Sequence, residues 1–338
     1  MVRSRTPGLS LGLLRPERKP FATGYGYRNR EAKLPATERT VYGIASVTKS
    51  FIALAILRLA EHRLLRVSDP VVRYLPELRL RGASERHPIR IGHFLTHSSG
   101  LPPLPSLTYT SLRSLRRNPP FDVRVGRKVG IDLDHAPIDT YEELMRYLSD
   151  ERYMLLGPPG TVFSYSNESY GLLGAIIERV SGRTYESFLE EEVFRPARTR
   201  SSSFDTGIVF RQPEVTTLYS PRRTGARHPL VASEEWWEDT CVRGAGALRT
   251  NVVDLLQYLQ LFLNEGRVDR ERIVSAQSVR EMFRPRIPIR TGVFYGYGLA
   301  VRPDYHGTPP RLRRRGTPRG QFDHRRRPPT RRRGRGAR

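Results

Sequence analysis

Residues 44–65 read "IASVTKSFIALAILRLAEHRLL", and the rest of the chain is best understood outward from them. From Phe51 to Leu65 the stretch is apolar on nearly every side and is dominated by Ala and Leu. Those residues favour helix, and a helix that is apolar all round belongs in a core rather than on a surface. A buried helix through the middle of the fold is therefore expected. Ser46 and Lys49 stand three apart at its opening, so their side chains share a face. The start of a helix also offers free backbone N–H groups and a positive dipole end, which can stabilise a developing oxyanion. A serine placed there is a nucleophile if a base removes its proton. Lys49 fits that task, because burial and the dipole disfavour its charged form. The competing reading has Ser46 capping the helix and Lys49 snorkelling to water. Lys is scarce in this chain, and so apolar a helix gives it no easy exit.

A second constellation lies in "PPGTVFSYSNES", where Tyr165 and Asn167 stand two apart in a loop before a helix expected over 170–181. A phenol beside a lysine can pass a proton to a leaving group, and an Asn amide can hold both a lysine and a substrate carbonyl. The alternative is an aromatic packing residue beside an Asn cap.

Around these motifs, "GLSLGLLRPERKPFATGYGYRN" predicts two strands about a turn at residues 15–19, with Pro16 fixing the bend. Ser68 and Asp69 before Pro70 signal a short helical element. Helices are expected in "TYEELMRYLSD", "SYGLLGAIIERVSGRTYESFLEEEVF", "TNVVDLLQYLQLFLNEG" and "SAQSVREMF", and a strand in "VFYGYGLAVRP". Strands at both ends with helices between imply an α+β fold. One sheet would be built from N- and C-terminal segments, with a helical lobe inserted.

The order and intervals of "TVYGIASVTKSFIALAIL", "IRIGHFLTHSSGLP", "PPGTVFSYSNESYGLLGAIIERVSGRTYESFLEEEVF", "GAGALRTNVVDLLQYLQLFLN" and "YGYGLAV" resemble the serine β-lactamase and penicillin-binding-protein superfamily. The likeness is to its class C-like branch, which also holds esterases and D-aminopeptidases, and it covers roughly residues 8–303. It implies an antiparallel sheet flanked by helices, with a sheet lobe from about 1–66 plus 235–310 and a helical lobe from about 67–234. It further implies that Ser46 is the acyl-forming nucleophile, Lys49 its activator and Tyr165 the acid/base. Asn167 would bind substrate and orient Lys49, and the Ser46 N–H would form half of an oxyanion hole. The substrate would be an amide, peptide, β-lactam or carboxylic ester, small-molecule or peptide in nature. In the family the stretch around His97 is a structural turn. Trp236 and Trp237 either line the cleft or pack. No His, Cys or carboxylate grouping has metal-ligand spacing, so neither metal nor cofactor is implied.

The chain departs from the family beyond Leu299. A His or Lys, a small residue and a Gly are expected there, and His306 in "HGT" is the nearest candidate for that substrate-binding role, although no Gly follows in the third position. The net charge of +24 would ordinarily point to nucleic acid, but residues 311–338 carry thirteen Arg against one acid, Asp323, and so hold half of it. Such a segment has almost nothing to bury. It reads as GC-rich DNA translated out of frame from near Pro310, ahead of a solvated tail or a nucleic-acid arm. The last would accompany a non-catalytic relative. A lone Cys241, no signal peptide and no long apolar run make a soluble cytoplasmic protein the expectation, of unassigned oligomeric state.

Overall fold

The computed structural model describes residues 5–15, 18–117, 132, 134–150, 152–221, 230–233, 236 and 238–304. Residues 311–338, His306 and Trp237 lie outside this set. The N-terminal hairpin forms as expected: β1 (Gly8–Leu13) pairs antiparallel with β2 (Phe21–Asn29), running from Gly8↔Gly26 to Leu13↔Phe21. The short strand β3 (Leu34–Pro35) extends this sheet on the β2 side. Next comes β4 (Tyr42–Gly43), which leads through a short turn into the central helix, α1 (Thr48–Glu61).

That helix is the centre of the core. Phe51, Ile52, Ala53, Leu54, Ala55, Ile56 and Leu59 are all buried, as an all-round apolar face requires. Among the described residues four helices follow: α2 (Ile91–Leu95), α3 (Ser106–Thr110), α4 (Leu112–Arg117) and α5 (Tyr141–Leu148). A reciprocal capping box between Thr140 and Glu143 starts α5. Packed on α1 is α6 (Asn167–Ser181), which ends at Gly182 with φ of 70°. After it come α7 (Tyr185–Leu189), continued by a π turn at Glu190–Phe194, and α8 (Thr206–Phe210). The signal at Ser68 and Asp69 yields only one 3₁₀ turn, Val71–Arg73, whose cap makes no side-chain bond. Asp69 Oδ2 instead accepts from the Arg66 N–H at 2.8 Å and the Tyr74 hydroxyl at 2.6 Å.

In the second half, β5 (Tyr219–Pro221) pairs with β6 (Leu230–Ala232), and β7 (Arg249–Thr250) pairs with β4. Helix α9 (Val252–Leu263), capped by Asn251, packs on β1. The small hairpin of β8 (Arg267–Val268) and β9 (Glu271–Arg272) precedes α10 (Ala276–Met282). Strands β10 (Ile287–Arg290), β11 (Val293–Tyr295) and β12 (Ala300–Val301) close the described chain as an antiparallel sheet. The result is α+β with antiparallel strands. Among the described residues the N- and C-terminal strands make two separate three-stranded sheets, and the β4–β7 pair is the ladder that ties the first part of the chain to the second.

Candidate active site

The site begins where β4 turns into α1. The Ile44 N–H donates to Leu248 O at 3.0 Å, and Ala45 then takes a φ of 45°, a left-handed conformation that is costly for a residue with a Cβ. A single 3₁₀ turn, Ala45–Val47, follows and joins α1. The α-helix therefore opens two residues after Ser46, not at it. Thr48 fixes the elbow: its hydroxyl donates to Ala45 O at 2.6 Å and accepts from the Leu248 N–H at 3.2 Å. Val47 occupies the cap position and no side chain caps the helix, so Ser46 is not a cap. Its side chain is exposed at the elbow, one turn before a lysine that is completely buried.

Lys49 does not snorkel. Its Nζ lies 2.6 Å from Ala245 O, 2.9 Å from Asn167 Oδ1 and 3.2 Å from Ser46 Oγ, with the Tyr165 and Tyr170 rings 4.9 and 5.4 Å away. Burial lowers its pKa to about 7, and the more distant charges of Glu168 and Asp239 only partly offset this. Near neutrality the amine is thus poised between two states. Ala245 O and Asn167 Oδ1 can only accept, so they take two N–H groups. The third direction faces Ser46 Oγ. In the neutral amine that direction carries the lone pair, which can receive the serine proton.

Tyr165 and Asn167 straddle Ser166, which is the N-cap of α6: its hydroxyl accepts from the Ser169 N–H at 3.1 Å. The helix starts at Asn167, three residues earlier than the sequence suggested, and Asn167 is its first residue rather than its cap. Tyr165 is half-buried. Burial raises its pKa, and a hydrogen bond with Ser46 pulls it back down. Ser46, Lys49, Tyr165 and Asn167 are thus brought together.

Beneath Tyr165 lies His97, fully buried with φ of 54° and its ring centroid 4.1 Å from that of Tyr165. Its Nδ1 accepts from the Ser166 N–H at 3.1 Å, so the ring proton is assigned to Nε2. Burial, and next the charge on Lys49, hold its pKa well below the usual value. A neutral imidazole that underpins the Tyr165 turn agrees with the structural role expected for its stretch. Tyr295, from "YGYGL", adds a ring 4.8 Å from His97 and 6.5 Å from Tyr165. Residue type and spacing give no role to Ala245, Glu168 or Tyr295. "GAGAL" and "YGYGL" had marked two of the segments, but a backbone acceptor leaves no trace in residue type. Trp236 is buried and donates to Thr216 O at 3.3 Å, which makes it a packing residue. Among the described residues no group of three His, Cys, Asp or Glu could hold a metal ion, and no helix is long and apolar enough to cross a membrane.

A helical region and antiparallel strands gathered around a Ser-x-x-Lys helix and a Tyr-x-Asn turn define a penicillin-binding-protein-like fold. The family model for Beta-lactamase matches residues 1–324, and the chain belongs to that family. The esterase EstB of Burkholderia gladioli is 37% identical over 195 residues, which are 57% of this chain and 45% of that protein. Protein flp of Staphylococcus aureus is 29% identical over 205 residues, 60% of this chain and 36% of its own. The chain therefore spans less than half the length of these curated relatives. Among solved structures, the octameric penicillin-binding protein homologue from Pyrococcus abyssi superposes with a TM-score of 0.75 at 33% identity, covering 91% of this chain and 64% of that one.

Proposed function

We propose that the chain is a serine hydrolase working through an acyl-enzyme, with Ser46 as nucleophile. The observation that carries this reading is the exposed Ser46 hydroxyl 3.2 Å from a buried lysine whose other two acceptors are a carbonyl and an amide oxygen. Neutral Lys49, coupled to Tyr165, takes the Ser46 proton as Oγ attacks the substrate carbonyl. The Ser46 N–H receives part of the oxyanion charge, and Tyr165 returns a proton to the leaving group. The acyl group is then transferred to water by the same groups in reverse roles. Asn167 orients Lys49 and contacts the substrate. The substrate carries an ester or amide carbonyl, and the likeness to a protein named as an esterase makes carboxylic esters the first choice.

A fluorophosphonate probe tests this directly. Labelling should map to Ser46 in the native chain and vanish in Ser46→Ala, with p-nitrophenyl ester turnover lost in parallel. Equal labelling of both proteins would remove Ser46 from the role.

A further inference from the structure

One buried carboxylate beside the site takes no part in the chemistry just described. Glu168 is the second residue of α6, next to Asn167, and is only 1% exposed. Both of its oxygens are used. Ser106 Oγ of α3 donates to Oε1, and the cap residue Ser166 donates from Oγ to Oε2 at 2.7 Å. Both serines are completely buried. Two hydroxyl donors and the first turn of a helix favour the ionised form of this carboxyl. Burial works in the other direction and raises its pKa. A solvated surface position would have met neither the cost nor the two donors.

We propose that Glu168 is a positioning residue of the Ser46 site, one that holds the Tyr165–Asn167 turn and moves upward the pH at which Lys49 becomes a base. This rests on the roles given above to Ser46 and Lys49. The turn is held because Ser166 is at once the α6 cap, a donor to Glu168 and, through its N–H, a donor to His97. The electrostatic part follows from what faces Lys49. Helix α6 presents Glu168 and Tyr170, the turn before it Tyr165, the segment after α2 His97, and the 239–245 segment Asp239. Tyr295 of β11 stands behind Tyr165, and Tyr147 of α5 lies in the field of Glu168. The phenols are pushed up and His97 is pushed down, so all are neutral near pH 7. That leaves Glu168 and, second to it, Asp239 as the groups whose negative charge favours the ammonium form of Lys49, against a burial that raises the pKa of both carboxyls. Removing the first must lower the pH at which Lys49 loses its proton.

The sequence holds only four lysines, Lys19, Lys33, Lys49 and Lys128, which allows Lys49 to be watched without turnover. In protein carrying [ε-¹³C]lysine, the Lys49 resonance, assigned through Lys49→Arg, gives a titration midpoint. Glu168→Gln should move that midpoint down by about one pH unit, and Glu168→Asp should restore it. The acidic limb of kcat/KM for p-nitrophenyl ester should move by the same amount. If Glu168→Gln does not fold, Ser106→Ala, which takes one donor from the carboxylate, should move the midpoint in the same direction by less. An unmoved midpoint in a folded variant overturns the proposal. Loss of the hydrolase reading gives a different result: Ser46 goes unlabelled in the native chain while the NMR midpoint still reports on Glu168.

Discussion

At the scale of single residues, the site is a problem of where one proton resides. Lys49 has its pKa lowered to about 7, chiefly by burial, and acts as a base only when neutral. Below that pH the amine is charged and its lone pair is gone, so kcat/KM for ester hydrolysis should rise through about pH 7 and fall on the acid side. Lys49→Arg should lose roughly 10³-fold or more of kcat/KM at every pH up to 9, because a guanidinium cannot give up its proton there. A Lys49→Arg enzyme that kept the native rate would make Lys49 a structural cation only. The four residues that meet here could be picked out in the sequence because two short motifs, weak by themselves, stand in the order and context of a familiar set of segments. The left-handed Ala45 and the Ala245 carbonyl were not. The first is a backbone torsion, and the second reaches Lys49 across 196 positions of sequence. Glu168 falls in the loop expected before that helix, and only its burial beside Asn167 shows that its charge bears on Lys49.

At the scale of elements, local pattern located helices well and their ends less well. The all-round apolar character of α1 predicted its burial correctly, whereas the 3₁₀ turn before it depends on Thr48 bonding to Ala45 and Leu248, contacts that no periodicity encodes. The strand expected in "VFYGYGLAVRP" is interrupted between Tyr295 and Ala300. Gly298 explains the break: its φ is 79°, and a Cβ there would come 2.7 Å from the Lys49 carbonyl oxygen and 2.8 Å from Ala53 Cβ. The chain is pressed against α1 at the very turn that bears the buried lysine. Gly298→Ala adds a left-handed penalty to an overpacked contact, so it should cost about 2–4 kcal/mol in urea denaturation. It should also lower kcat, since the strained contact is on Lys49 itself. A variant of native stability and rate would mean that this segment gives way freely and does not brace α1.

At the scale of the whole molecule, the hairpin and the run of helices could be anticipated, because each is set by residues close in sequence. The β4–β7 pair could not. Two residues on each side offer no alternation to read, and the partners are some two hundred positions apart. That pair closes the elbow that exposes Ser46 while the core closes over Lys49, so global stability and the site share one cost. In the unfolded chain a lysine titrates near 10.4, but in the fold Lys49 does so at about 7. Below pH 7 both states bind the proton, and the fold bears the full penalty of holding it. Between about 7 and 10 the unfolded chain binds the proton and the fold does not, so stability rises with pH by up to about 1.4 kcal/mol per unit from this residue. Lys49→Met lacks the group and therefore the slope. Paired urea titrations at pH 7, 8 and 9 should show the native chain gaining about 2–3 kcal/mol on Lys49→Met across that range. The sign is opposite to that of a lysine held by a carboxylate partner, which would lose its contribution as the pH climbed through its raised pKa. Parallel stability profiles for the two proteins would mean that Lys49 is solvated like an ordinary surface lysine, and the neutral base at the centre of the proposed chemistry would be lost with it.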